Sequence, residues 1–309
     1  MGERLLTVEN LCASYGAGDV LAGVTFEMDA GEILCIAGES GCGKSTLLRA
    51  ILGLDALGTA VTGGSITFAG RALRAPTPRQ MLGAEIGMIF QNPGASFNPV
   101  RSYEKQFRET LRSHGRACDT QEILACFETL RLPDGARILK CRPYELSGGM
   151  NQRMAIALAM LLRPRLLLCD EATGALDVTT QKSVVEALMR LRDACGTAIL
   201  FVTHNLGVAA RMADTVGIMY AGRMVEYGAA AAVLQTPVHP YTQSLIAAVP
   251  DFSGVLPSGL DGQPPLHGAG LPGCAFQARC PHAQSGCEKK ADTLQQVDKR
   301  HFACCAGRP

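Results

Sequence analysis

The stretch Gly38-Glu39-Ser40-Gly41-Cys42-Gly43-Lys44-Ser45 fits the pattern G-x-x-x-x-G-K-[ST], and its flanks fit as well. Ile33 to Ala37 before it is an apolar run that predicts a buried strand, and Lys44 to Leu52 after it has helical periodicity. Strand, glycine turn and helix in that order make an anion cradle. Glycines let successive backbone N–H groups turn inward, and the helix N-terminus adds partial positive charge. In such a cradle Lys44 reaches the β- and γ-phosphates of a nucleotide and Ser45 ligates Mg²⁺, with Thr46 beside it in the contacting set. An ordinary glycine turn is the plain alternative. It accounts for neither the Lys-Ser pair nor the strand and helix around it.

Outward from the loop, Leu5 to Asn10 and the alternating stretch Val24 to Met28 read as strands of an N-terminal antiparallel β subdomain. Ser65 to Phe68 adds another strand, closed by a turn at Ala69-Gly70. Residues 93–162 carry helical patterns at 102–113, 119–130 and 149–162, and read as a helical insertion. Strands return at Leu166 to Asp170, Ala198 to Thr203 and Val216 to Tyr220, separated by helical stretches. This alternation predicts an α/β fold with a largely parallel sheet covered on both faces. From Pro250 to Pro272 the composition turns to Gly and Pro, as in a linker. No internal repeat is visible, so one unit is expected and not a tandem pair.

The 309 residues are 47% hydrophobic and 18% charged, enough apolar material for a large core. A net charge of +1 without a basic block argues against nucleic acid as a partner. No apolar run approaches the ~18 residues that span a bilayer, and Met1-Gly2-Glu3-Arg4 is followed by no apolar signal core. Service to a membrane would therefore run from the cytoplasm through partners. Eight of the 13 cysteines (Cys12, Cys35, Cys42, Cys118, Cys126, Cys141, Cys169, Cys195) share no spacing, and most read as small buried hydrophobes in a reducing compartment. The other five fall in the last 36 residues.

Leu166-Leu167-Leu168-Cys169-Asp170-Glu171 is a buried strand ending in two carboxylates, 126 residues after Lys44. At a strand terminus Asp170 can hold a Mg²⁺ shell while Glu171 orients and deprotonates an attacking water. Alone, an apolar run before Asp-Glu would be a solvated cap; behind a phosphate loop it is the expected partner. Leu146-Ser147-Gly148-Gly149-Met150 precedes a helix to Leu162, and by itself reads as an N-cap with Ser147 in the cap position.

The ordered set of phosphate loop, Gln91, LSGGM signature, Asp170-Glu171, Gly174-Ala175-Leu176-Asp177 and His204 resembles the ABC ATPase family over residues 1 to about 250. The resemblance implies a P-loop NTPase core, with the insertion at about 93–162 as the family's helical subdomain, 251–272 as linker and 273–309 as a Cys-rich extension. In that family two cassettes close head to tail. Each ATP then lies between one phosphate loop, here Gly38, Glu39, Ser40, Gly41, Cys42 and Gly43 with Lys44, and the other subunit's Ser147, Gly148 and Gly149. Gln91 would contact Mg²⁺ and relay nucleotide state, His204 would contact the γ-phosphate, Asp177 would link the two sites, and Tyr15 would stack on adenine. The sequence departs from the family at Ala172, Gly174 and Asn151, where Pro, Ser or Thr, and a basic residue are common; this bears on the stiffness of the loop around Asp177.

Gln91-Asn92-Pro93-Gly94-Ala95-Ser96-Phe97-Asn98-Pro99, His239-Pro240-Tyr241 and Gly273-Cys274-x-Phe276-x-x-Arg279-Cys280-Pro281 are similar to the peptide and nickel importer branch. In that branch the tail cysteines hold a four-iron–four-sulfur cluster. Cys274, Cys280, Cys287 and Cys304 are separated by gaps of five, six and 16 residues, unlike the tight pairs of a zinc ribbon. Zinc, a disulfide or an unligated tail stay open beside the cluster, as does Cys305 in place of Cys304. The resemblance further implies a second cassette (the same chain or a related one), two transmembrane permease subunits, an extracytoplasmic solute-binding protein, and a place on the cytoplasmic face of the membrane. An exporter cassette is the alternative, while a translation or repair ABC protein would need two cassettes or a long coiled coil. A cluster-bearing sensor that only binds ATP is disfavoured by Glu171.

Overall fold

The computed structural model describes residues 2–15, 18–53, 58–174, 176–249, 260–265, 271, 273–289 and 293–304. Most of the expected linker, together with Ala175 and Cys305, lies outside these residues. By its contacts the chain divides into two units, Met1–Asp29, Ile33–Pro76 and Val202–Pro309 in the first, Ala30–Glu32 and Thr77–Phe201 in the second.

In the first unit, β1 (Arg4–Tyr15), β2 (Gly18–Asp29), β4 (Thr59–Phe68) and β5 (Arg71–Ala72) form an antiparallel sheet in the order β2-β1-β4-β5. Its inner face follows the period of two from Val24 onward, with Val24, Phe26 and Met28 of β2 buried while Thr25 and Glu27 face out, and a register shift between Leu21 and Val24 brings Leu21 to the same face. The Ala69-Gly70 turn, with both residues at positive φ, joins β4 to β5 as expected.

The same unit holds β3 (Ile33–Ala37), parallel to β9 (Thr215–Tyr220), with the helix α1 (Lys44–Leu52) after β3. Here the expectation of a largely parallel sheet is corrected to a mixed one. β10 (Arg223–Ala229) pairs antiparallel with β9, β12 (His301–Ala303) with β10, and β11 (Gln295–Asp298) with β12. The physical reason is the two-residue link Ala221-Gly222, with φ of 47° and 79°. Two positive-φ residues make a tight hairpin, and a link that short cannot make a parallel crossover.

In the second unit β6 (Ile86–Ile89) runs parallel to β7 (Leu166–Asp170), in the order β8-β7-β6, where β8 is Ala198–Thr203. β7 and β8 are buried throughout, as strands covered on both faces must be. Between β6 and β7 the chain is helical: α2 (Tyr103–Ser113), α3 (Thr120–Thr129), α4 (Gly135–Lys140) and α5 (Gly148–Leu162). Their core is a chain of edge-on aromatic contacts, Phe97–Tyr103–Phe107–Phe127, with centroids 4.9, 6.2 and 5.8 Å apart. The helix α6 (Val178–Cys195) follows β7. Of the eight scattered cysteines only Cys35, Cys42 and Cys169 are fully buried; the others line half-open or exposed positions. Among the described residues no helix is long and apolar enough to cross a membrane.

Candidate functional site

The phosphate loop runs from the end of β3 to the start of α1. Gly43 takes the cap position at φ 105° and offers no side-chain cap, and the first turn of α1 has no acidic residue. A Cβ on Gly38 would lie 2.2 Å from the Met219 carbonyl oxygen, and one on Gly43 would lie 2.9 Å from Leu21 Cδ2. The β9 backbone therefore dictates glycine at position 38, and the left-handed φ of 105° favours it at position 43. Lys44 is buried, and its Nζ donates to the carbonyls of Gly38 and Glu39 at 2.8 Å each and approaches Cys42 Sγ at 3.6 Å. Burial pushes the Cys42 thiol up, an effect Lys44 opposes. Thr46 is buried and Ser45 half-buried in the same first turn. The half-buried Tyr15 hydroxyl accepts from Arg49 Nη1 at 2.8 Å. Burial alone would raise its pKa, but hydrogen bonds with Thr59, Arg49 and Thr46 bring it below the usual tyrosine value.

In the second unit the parallel register Ile89↔Cys169 sets Gln91 and Glu171 just beyond the carboxyl ends of adjacent strands, the crevice where α/β sheets bind ligands. Gln91 Nε2 donates to Glu171 Oε2 at 3.1 Å. Glu171 has φ 47°, a left-handed conformation that costs a non-glycine residue ~1–3 kcal/mol. Asp170, at the end of β7, is buried. A Cβ on Gly174 would meet Glu171 only at ordinary contact distance, 3.5 Å, so Ser or Thr there is not sterically excluded.

Ser147 accepts from Met150 N at 3.3 Å and caps α5, leaving Gly148 exposed and Gly149 half-exposed in the first turn. Asn151, where the family often has a basic residue, is buried. Its Nδ2 donates to the carbonyls of Pro143 (3.1 Å) and Leu146 (3.4 Å), and its Oδ1 accepts from the Tyr103 hydroxyl. It thus ties the segment before the signature to α2. Asp177 caps α6, accepting from Thr180 N at 3.0 Å, and the Thr180 side chain leads the hydrogen bonds that hold its carboxyl below the usual range. His204, in the first unit, is exposed just after β8, ahead of Asn205, which caps α7 (Leu206–Met212).

The tail cysteines were expected to gather on one cluster. The segment is folded: Cys274 N donates to Cys287 O at 2.9 Å, Gln284 N to Cys287 Sγ at 3.5 Å, and Cys304 N to Val225 O at 3.0 Å. Yet among the described residues no three His, Cys, Asp or Glu side chains are grouped to hold a metal ion, and the cluster expected at Cys274, Cys280, Cys287 and Cys304 gains no support from the arrangement. Sequence reasoning missed two side chains that grip the phosphate loop. Tyr241, in α8 (Pro240–Ala247), accepts from Glu39 N at 3.0 Å, and Arg279 binds the Glu39 carboxylate. Both lie in stretches already singled out, but Tyr241 and Arg279 carried only the family resemblance there, with no contact assigned to either.

Residues 21–174 match the family described as "ABC transporter", and residues 225–287 match "Oligopeptide/dipeptide transporter, C-terminal region". The chain is 43% identical to the oligopeptide transport ATP-binding protein OppD of Salmonella typhimurium, over 97% of this chain and 93% of the relative. It is 42% identical to the probable peptide ABC transporter ATP-binding protein y4tR of Sinorhizobium fredii, over 94% and 91%. Among solved structures, a dimeric post-hydrolysis state of the ATP-binding cassette MJ0796, bound to ADP and Pi, matches with a TM-score of 0.65 at 25% identity, covering 73% of this chain and 99% of that one. A glycine cradle opening a helix, a carboxylate poised past a parallel strand, and relatives that align over more than nine-tenths of their length agree: the chain belongs to the ABC transporter family, as an ATPase subunit of its oligopeptide/dipeptide branch.

Proposed function

We propose that this subunit hydrolyses ATP on the cytoplasmic face of the cell membrane to energise uptake of di- and oligopeptides. It would do so as a peripheral partner of two permease subunits, a second cassette and an extracytoplasmic solute-binding protein. The match of residues 225–287 to the oligopeptide/dipeptide C-terminal region carries the choice of solute class. Nickel, read from the sequence beside peptides, has no support among the relatives named above.

Residues 1–250 act as the cassette in this reading, with 93–162 as its helical subdomain and 273–309 as an appended extension. Lys44 and the loop N–H groups hold the β- and γ-phosphates, and Tyr15 contacts the base. The oxygen donors of Ser45, Gln91 and Asp170 suit Mg²⁺, which when bound neutralises phosphate charge. Glu171 accepts a proton from the attacking water at a carboxylate oxygen, and its hydrogen bond from Gln91 supports this role by fixing where that carboxylate points. His204 contacts the γ-phosphate, and Ser147, Gly148, Gly149 and Asp177 serve the partner cassette's nucleotide. No step is routed through the tail cysteines.

The test is Glu171→Gln in the assembled transporter. Turnover should fall by roughly 10³-fold, with peptide uptake lost and ATP affinity within about threefold of wild type. Normal turnover would remove Glu171 from the role of base. Wild-type ATPase activity that peptides and their binding protein leave unstimulated would remove the peptide assignment.

A further inference from the structure

The Cys-rich extension touches the phosphate loop, and it does so through an arginine. Arg279 Nη1 and Nη2 donate to the two oxygens of Glu39 at 2.8 and 3.0 Å, a bidentate fork across 240 positions of sequence. Two further donors are also engaged. Nε donates to Asp261 O at 3.0 Å, Nη1 also to the Tyr220 hydroxyl at 3.4 Å, and the guanidinium carbon lies 5.7 Å from the Tyr220 ring centroid. The Arg279 side chain is only 4% exposed, against 26% for Glu39, so this pair is better shielded than a surface ion pair.

The support behind it is built rather than incidental. Phe276, three residues earlier, packs against Tyr220, Tyr241 and His239 at centroid distances of 5.2, 5.4 and 5.7 Å. Tyr241 in turn accepts the Glu39 backbone N–H. One cluster therefore fixes Glu39 at both its carboxylate and its amide. The extension is anchored a second time where buried Glu226 of β10 accepts from His301 Nε2 of β12 at 2.6 Å and from the Val238 and His239 amides.

The electrostatics give this contact a consequence for binding. A carboxylate inside an eight-residue loop that gathers N–H groups and a lysine around phosphate would repel the ligand. Two unit charges at about 4 Å interact by ~1–4 kcal/mol between aqueous and surface dielectric. We propose that Arg279 is a positioning residue for the ATPase reaction: it neutralises Glu39 and fixes the start of the phosphate loop, so that ATP affinity depends on the folded C-terminal extension. This rests on the assignment of the loop as the ATP site.

The experiment measures KM for MgATP and kcat in the assembled transporter for wild type, R279M, R279K, E39Q and the double variant R279M/E39Q. R279M should raise KM about tenfold, with kcat changed less than about threefold, because it strands the carboxylate beside the phosphates. R279K, which keeps the charge and loses the fork, should fall between R279M and wild type. Removing the stranded charge should rescue, so R279M/E39Q should return KM to within about threefold of wild type, a suppression that mere loosening of the extension would not produce. An unchanged KM in R279M, or a double variant no better than R279M, overturns the proposal while leaving wild-type ATPase activity, and the function above, intact. A wild-type protein that hydrolyses no ATP overturns both.

Discussion

The phosphate loop and the Ser147 segment both open a helix with glycine, but different parts of the chain hold them. Around α5 the support is mostly local: Ser147 caps Met150 three residues on, and Asn151 bonds Pro143 and Leu146 within eight residues, with Tyr103 of α2 added from 48 residues away. α6 begins the same way, with Asp177 capping Thr180. α1 begins at Gly43, which has no side chain to give, and the loop before it is held by Tyr241 and Arg279 from 202 and 240 positions away. A helix start can be finished by its own sequence when a side chain is allowed to occupy its N–H groups. A loop that must keep those groups turned toward a ligand cannot fix itself in that way, and its bracing comes from the tertiary fold.

The comparison can be broken most forcefully at Lys44. Lys44→Ala should weaken ATP binding by roughly 100-fold, about 3 kcal/mol, while thermal stability moves little. Affinity measured with a fluorescent ATP analogue on the full chain checks this, and an unchanged value would sink the phosphate-loop assignment. Gly38→Ala sharpens the contrast from the steric side. Its Cβ would sit 2.2 Å from a backbone oxygen of β9, so stability should drop by about 2–3 kcal/mol and ATP binding should fall with it. A urea midpoint equal to wild type would show that the loop is less tightly braced than its contacts indicate.

The bracing also has a pH signature. His239 accepts from Tyr241 N through Nδ1 behind the loop, and burial pushes its pKa down to about 4 from an unfolded value of 6.5. The folded state thus binds fewer protons than the unfolded one between these values. Its stabilising effect is complete above pH 6.5 and is lost as pH falls toward 4, by about 2 kcal/mol between pH 7 and pH 5. Urea midpoints at the two pH values measure it, and His239→Asn, which keeps a cap acceptor, should flatten that acid loss. The smallest effect belongs to the locally held segment. Ser147→Ala removes one cap and should cost about 1 kcal/mol of stability. A larger fall in turnover of the assembled transporter would be the mark of its proposed contact with the partner's nucleotide.

Much of the second unit was legible because its signals are short-ranged. The run Leu166–Asp170 is a strand because five consecutive positions are buried, and the helices at 102–113, 119–130 and 149–162 come within a residue of their observed bounds. The mixed sheet was not legible, because it turns on the two-residue hairpin Ala221-Gly222 and on pairing with His301–Ala303, some 75 residues later. α4 escaped notice because six residues are too few to show a period.

The sequence by itself determined the chemistry on offer: a glycine cradle with Lys44 and Ser45, paired acids after a buried strand, and a serine at a helix start. These depend on residues adjacent in the chain, where backbone geometry follows from side-chain type. Only the tertiary structure decided that Glu39 would meet Arg279 and Tyr241, and that Gln91 would bond Glu171. Those contacts join positions tens to hundreds of residues apart, and no local pattern specifies which distant groups a packed core will bring together.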